Sequence, residues 1–247
     1  VSGGLLTVSA GGSAISVTLA TDTSSPSTLI VESGGSASST LIEDQSIAFI
    51  SGTTVSDTIS GANAQEIDSS GGVAYNATIE GGGTLTVLDE AAVSAVAVKN
   101  GTLTLSGLHA SASSVALDSS GHVVLFDGAV LSGSHYNAGT MTAQSGGTVG
   151  SITLSGTARG IVSSGGTASL LTLQSGATVT VSSGGTAQGT ILESGAVLHG
   201  DTSPTVNDTT IHSGALLQIE NTVSGKDTYL TSGGSIELLG TSWSNTD

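Results

Sequence analysis

The sequence predicts an all-β chain wound as a right-handed parallel β-helix, and three observations lead there. The tetrapeptide Ser-Gly-Gly-Thr begins at Ser145, Ser164 and Ser183, a spacing of 19 residues held over three copies. A fixed period of that length marks a repeat architecture. Aromatic residues are 2% and charged residues 9% of the 247, while apolar residues are 37%. That leaves too few large side chains for one compact core, yet too much apolar surface for disorder. Between the glycines run short stretches such as Thr84-Leu85-Thr86-Val87, Thr102-Leu103-Thr104-Leu105 and Thr178-Val179-Thr180-Val181. Threonine alternating with Leu or Val is the period-two pattern of a strand with one buried face.

Taken in order, the first corner of each repeat begins near Ala10, Ser33, Ser51, Ser70, Asp89, Leu108, Phe126, Ser145, Ser164, Ser183 and Thr202. The steps are 18 or 19 residues, except for one of 23 between Ala10 and Ser33. There, Asp22-Thr23-Ser24-Ser25-Pro26 reads as an inserted turn-rich loop. A second corner falls at Gly61, Gly82, Gly101, Gly121, Gly139, Gly156, Gly176, Gly195 and Gly214. Tight corners favour glycine because it reaches positive φ without a Cβ penalty. After the first corner an aliphatic or small residue is followed five positions on by an aliphatic one: Ala37/Ile42, Ala74/Ile79, Val93/Val98, Ala112/Leu117, Val149/Leu154, Ala168/Leu173, Ala187/Leu192 and Val206/Ile211. Such recurrence is what stacked turns produce, and about eleven at ~4.8 Å spacing make a rod on the order of 50 Å long. After Thr202 the pattern fades, with Asn221-Thr222-Val223-Ser224-Gly225 as a last copy and an ambiguous tail from Thr241. Residues 1–247 therefore read as one repeat segment of a longer protein, least regular over 89–144 and irregular over 221–247. Helix is a poor competitor, since Gly and β-branched residues interrupt every window. A propeller needs a period of ~40–50 residues, and a leucine-rich repeat needs an Asn-centred consensus that is absent.

These residues resemble the AIDA-type strand-loop-strand repeat of bacterial autotransporter passengers, the self-associating adhesins that include the AIDA, TibA and antigen-43-like proteins. The shared pattern, SSGGTAxxTxLxSGxxLxV, is carried best by Ser164 to Val181 and Ser183 to Leu198, and recognisably by Ser33 to Ile42 and Ser70 to Val87. It departs at Asp89-Glu90, Leu108-His109 and Phe126-Asp127, where the Ser-Gly-Gly corner is lost. The resemblance implies a passenger carried to the cell surface by an outer-membrane β-barrel C-terminal to it. It implies adhesion, self-aggregation and biofilm formation, with partners that are either the same protein on neighbouring cells or a host-surface or glycan ligand. It further implies O-heptosylation of serines by a dedicated heptosyltransferase. The serines of the Ser-Gly-Gly corners, Ser33, Ser70, Ser145, Ser164 and Ser183, are the expected acceptors.

Charge and motifs narrow the remaining chemistry. Net charge is −16 with only Lys99, Arg159 and Lys226 positive, which excludes nucleic acid and anionic membrane surfaces as partners. There is no cysteine, and no apolar run approaches the ~18–20 residues that span a bilayer. A β-helix can carry a polysaccharide-cleaving site, so the carboxylates matter. Glu43-Asp44 and Asp89-Glu90 are adjacent and read as solvated corner groups; Glu66 and Asp68 are the pair that could share a strand face. They too read as solvated, and with so few cations no enzyme is expected. His109, His122 and His135 are 13 residues apart, as are His199 and His212, so they do not recur with the turns; no metal or cofactor is expected. The calcium nonapeptide of RTX repeats is missing. Gly81-Gly82-Gly83-Thr84 lacks the lysine and following helix of a phosphate loop. The Thr-x-Thr ladder is too broken, at Ala64-Gln65-Glu66, His122-Val123-Val124 and Ala158-Arg159, for an ice-binding face. Asn76-Ala77-Thr78 and Asn207-Asp208-Thr209 match a glycosylation sequon by pattern alone. Two non-enzymatic readings remain: lateral adhesion through hydroxyl ladders, or a spacer rod that carries glycans.

Overall fold

A computed structural model describes residues 1–21, 25–221, 223–239 and 243–245. The core of the inserted loop, Asp22-Thr23-Ser24, together with Thr222 and most of the tail from Thr241, lies outside the described residues. The chain divides into two compact units, Val1–Val123 and Val124–Asp247.

Each unit is a parallel β-solenoid. In the first unit one turn supplies three strands, as in Gln65–Asp68, Val73–Tyr75 and Thr78–Glu80. Each strand pairs with its counterpart one turn on, so the leading strands Leu5–Val8, Thr28–Val31, Ile47–Ile50, Gln65–Asp68, Thr84–Val87 and Thr102–Ser106 form one parallel sheet in register. The second and third strands of the turns build two further sheets the same way. In the second unit the leading strands from Thr140–Ala143 through Arg159–Val162, Thr178–Val181, Val197–Gly200 and Leu216–Glu220 to Ser235–Leu239 repeat this arrangement. The expected parallel β-helix with a spacing near 19 residues is thus present in both.

The core is built from columns. All eight aliphatic pairs read from the sequence, Ala37/Ile42 to Val206/Ile211, are buried. On the leading strands Leu85 and Val87 point inward above Leu103 and Leu105, while Thr84, Thr86, Thr102 and Thr104 face outward. A buried Leu or Val side chain contributes about 1.5–3 kcal/mol. The spacing of the turns therefore lets small side chains close a core without aromatic bulk. Tyr136 is the exception, a fully buried aromatic ring in the second unit.

The structure corrects the count of corners: there are three per turn, not two. Between the second and third strands a single residue takes the left-handed conformation, at Ser16, Ser39, Ser56, Asn76, Ala95, Ser114, Gly133, Ser151, Leu170, Gly189, Asp208 and Asp227. Its N–H donates to a carbonyl of the next turn, as in Ser39 to Val55 at 2.8 Å and Ser56 to Tyr75 at 2.8 Å. The residue after it is buried in all but the first and last of these turns, where Val17 and Thr228 are half-buried, and the column includes Thr40, Asp57, Ala77, Val96 and Val115. The corner escapes notice because its residue types vary. The Ser-Gly-Gly corner also persists where its motif is lost. Glu90 and His109 adopt positive φ (63° and 67°) in place of the first glycine, and buried Ala91 and Ala110 follow in place of the second.

Candidate functional site

The Ser-Gly-Gly corners present hydroxyls to water. The first glycine must turn left-handed, as Gly165 does at φ 74°. The second lies so close to the turn before it that a Cβ at Gly166 would collide with the Ala143 carbonyl oxygen. The serine ahead of them is thereby pushed to the outside of the bend, and Ser33, Ser70, Ser145, Ser164 and Ser183 are all exposed. Ser145, Ser164 and Ser183 occupy consecutive turns tied by Gly146 N–H to Gly165 O at 3.0 Å and Gly165 N–H to Gly184 O at 2.9 Å. Strand spacing then sets neighbouring hydroxyl sites at a ~4.8 Å repeat. Ser33 and Ser70 are thus exposed on the first unit, and Ser145, Ser164 and Ser183 on the second.

The carboxylates divide. Asp44, Asp89 and Glu90 are exposed at corners, and Glu43 is half-buried. Asp44 Oδ1 accepts the Asn63 N–H at 2.9 Å and its side-chain amide at 3.3 Å. Glu66 and Asp68, expected to be solvated, are instead completely buried. They share a face, as the alternation required, but it is the inner one. In register, Glu66 lies between Ala48 and Leu85 and Asp68 between Ile50 and Val87, while Gln65 and Ile67 face out. Counting 19 residues back from Leu85 and Val87 reaches Glu66 and Asp68, which was the signal available in the sequence. Asp57, not singled out there, joins them from the left-handed corner column.

The geometry around the three acids explains their titration. The Thr54 hydroxyl donates to Glu66 Oε1 at 3.1 Å, and the Thr40 N–H donates to Asp57 Oδ1 at 2.9 Å. Among the described residues no hydroxyl or amide donates to either oxygen of Asp68, which shares the inner face of its strand with Glu66. Burial pushes Asp57 up to about 6 and Asp68 up to about 7. Burial pushes Glu66 well above the usual carboxylate range, and the charges of Asp68 and Asp57 add to the effect. A polysaccharide strand cannot reach oxygens enclosed in this way, so Glu66 and Asp68 do not form a surface pair for glycosidic hydrolysis.

The histidines stand apart from one another. His109, His122 and His135 are exposed; His199 Nε2 lies 3.3 Å from Glu220 and His212 Nε2 4.0 Å from Glu193. Among the described residues no group of three His, Cys, Asp or Glu side chains is arranged to hold a metal ion.

These features define a class: a parallel β-solenoid whose corners expose ladders of serine hydroxyls. No protein-family model and no curated protein matches the chain. Among solved structures it is similar to a TibC-catalysed, hyper-glycosylated fragment of TibA, with a TM-score of 0.78 and 28% sequence identity, over 96% of this chain and 94% of that one. TibA is among the passengers that the repeat motif resembles. Fold and motif point to the same kind of protein, a β-solenoid similar to an adhesin-type autotransporter passenger.

Proposed function

We propose that this chain is a passenger segment of a bacterial autotransporter, displayed outside the cell from an outer-membrane β-barrel, and that it acts without catalysis in adhesion, self-aggregation and biofilm formation. Its partner is a second copy on a neighbouring cell or a host-surface glycan, and a heptosyltransferase modifies it on the way. The observation that carries this reading is the exposure of Ser33, Ser70, Ser145, Ser164 and Ser183 on a fold matching a hyper-glycosylated fragment over nearly its whole length. Lateral contacts between hydroxyl ladders contribute about 0.5–1.5 kcal/mol per hydrogen bond and gain strength by repetition. The net charge of −16 opposes pairing at low salt and is screened near ~0.15 M.

Two measurements test this. Intact mass of the natively exported protein should exceed the sequence mass by whole heptose increments, and replacing the five serines by alanine should remove them; an unmodified mass rejects the glycan. Cells displaying the protein should aggregate more strongly as salt rises toward ~0.15 M, and weaker aggregation rejects lateral self-association. The exposure of these serines also favours a second reading, a spacer that carries glycans. That reading requires the sugars to be present and the aggregation to be absent.

A further inference from the structure

We propose that Asp57, Glu66 and Asp68 form a proton-operated latch inside the first unit, holding the turn that begins at Gln65 in the core while the acids are protonated and loosening it when they ionise. The observation is geometric. Three carboxyl side chains lie close enough to raise one another in a core that holds no cation among the described residues; Glu66 receives one hydroxyl and Asp57 one amide, and Asp68 shares the inner face with Glu66. The neighbouring strands Ile47–Ile50 and Thr84–Val87 face them with Ala48, Ile50, Leu85 and Val87, none of which titrates. Thr53–Val55 and Val73–Tyr75 turn Thr54 and Ala74 inward, and Thr58–Ser60 turns in Ile59. Lys99 is exposed and supplies no counter-charge.

An unpaired carboxylate in such a place is costly, so the folded turn retains protons that the unfolded chain gives up. Burial raises Asp57 to about 6 and Asp68 to about 7, and Glu66 rises with them. The sign follows from proton binding. Unfolded carboxyls lose their protons near ~4, so the folded state binds more protons from there upward. The latch's stabilisation is complete below ~4 and is lost as pH climbs through about 6 to 7, the reverse of ordinary acid unfolding. The strand also has somewhere to go. Its outward residues are Gln65 and Ile67, so a slip of one residue would bury Ile67 and deliver both carboxylates to water.

Hydrogen exchange of the full chain, corrected for intrinsic rates and compared at roughly pH 5 and pH 8, tests this. Protection of backbone amides between Thr40 and Val87 should fall at least ~tenfold at the higher pH, since each unit of upward shift changes the folded-to-open ratio about tenfold. The D57N/E66Q/D68N variant should keep its protection at both values. D57A/E66L/D68V, which copies Ala77, Leu85 and Val87 of the next turn, should do the same if the amides fold poorly. The second unit has no buried carboxyl among its described residues and serves as the internal control. Equal protection of the wild type at both values overturns the latch. So does a loss of the same size in the second unit, which would trace the effect to net charge, or a loss that survives in both variants.

Discussion

Replacing Leu170 by glycine should stabilise the second unit, whereas replacing its neighbour Leu171 by glycine should damage it severely. Leu170 occupies the single-residue corner at φ 53° with its side chain 63% exposed. The left-handed conformation costs a residue with a Cβ roughly 1–2 kcal/mol. Glycine removes that cost and gives back about 0.5–1 kcal/mol in chain entropy, leaving a net gain of about 0.5–1 kcal/mol. Gly133 and Gly189 already occupy this corner in other turns, at φ 60° and 66°. The Leu170 N–H bond to Gln188 O at 2.9 Å is untouched by the change. Leu171 is fully buried, so its removal forfeits about 2.7–5 kcal/mol for the cavity and a further ~0.5–1 for glycine. Urea unfolding followed by far-ultraviolet dichroism reads both through the midpoint, provided the slope is unchanged. A Leu170→Gly midpoint at or below wild type would refute the strain assignment, and a Leu171→Gly loss under ~1 kcal/mol would refute the core column.

Two further outcomes follow from the second unit's packing. Gly166→Val should destabilise by about 1–3 kcal/mol, because the new Cβ meets the Ala143 carbonyl oxygen, which only a backbone shift can relieve; a urea midpoint measures it. Tyr136→Ala should cost about 3–5 kcal/mol in thermal unfolding, as the ring is the largest side chain sealed in that core.

Much of the fold was legible because its determinants repeat. Ala168/Leu173 and Ala187/Leu192 stand out since every turn needs an aliphatic residue at the same two places, and all of them are buried. The serine corners were legible for the same reason. The left-handed corner was not, because a cost of ~1–2 kcal/mol is small enough for stacking to offset, so Ser, Asn, Ala and Leu all occur there. Glu66 and Asp68 misled in another way. Residue chemistry put them in water, while the 19-residue count put them beside Leu85 and Val87, and the count prevailed. Register is imposed by the whole sheet, and one unfavourable strand does not invert it against the pairing of its neighbours while its carboxyls hold their protons. Asp57 gave no comparable signal, since its column tolerates Thr, Ala and Val alike.

The amides of the left-handed corner residues point onward in sequence. Ser39, Ser56 and Leu170 at the left-handed corners, and Gly165 and Gly176 at the other two, donate their N–H groups to carbonyls of the turn that follows in sequence. Strand amides such as Thr58, donating to Thr40 O at 2.8 Å, reach back to the turn before. Each turn is therefore completed by the arrival of its successor and serves as the mould for it. Apart from short additions such as Asp22 to Pro26 and turns of 18 rather than 19 residues, length changes with least damage by whole turns: losing one complete copy rejoins matching donors and acceptors, whereas losing part of one strands amides at three bends together. Insertion and deletion thus become a counting operation on turns, while the residues between the bends stay free to diverge.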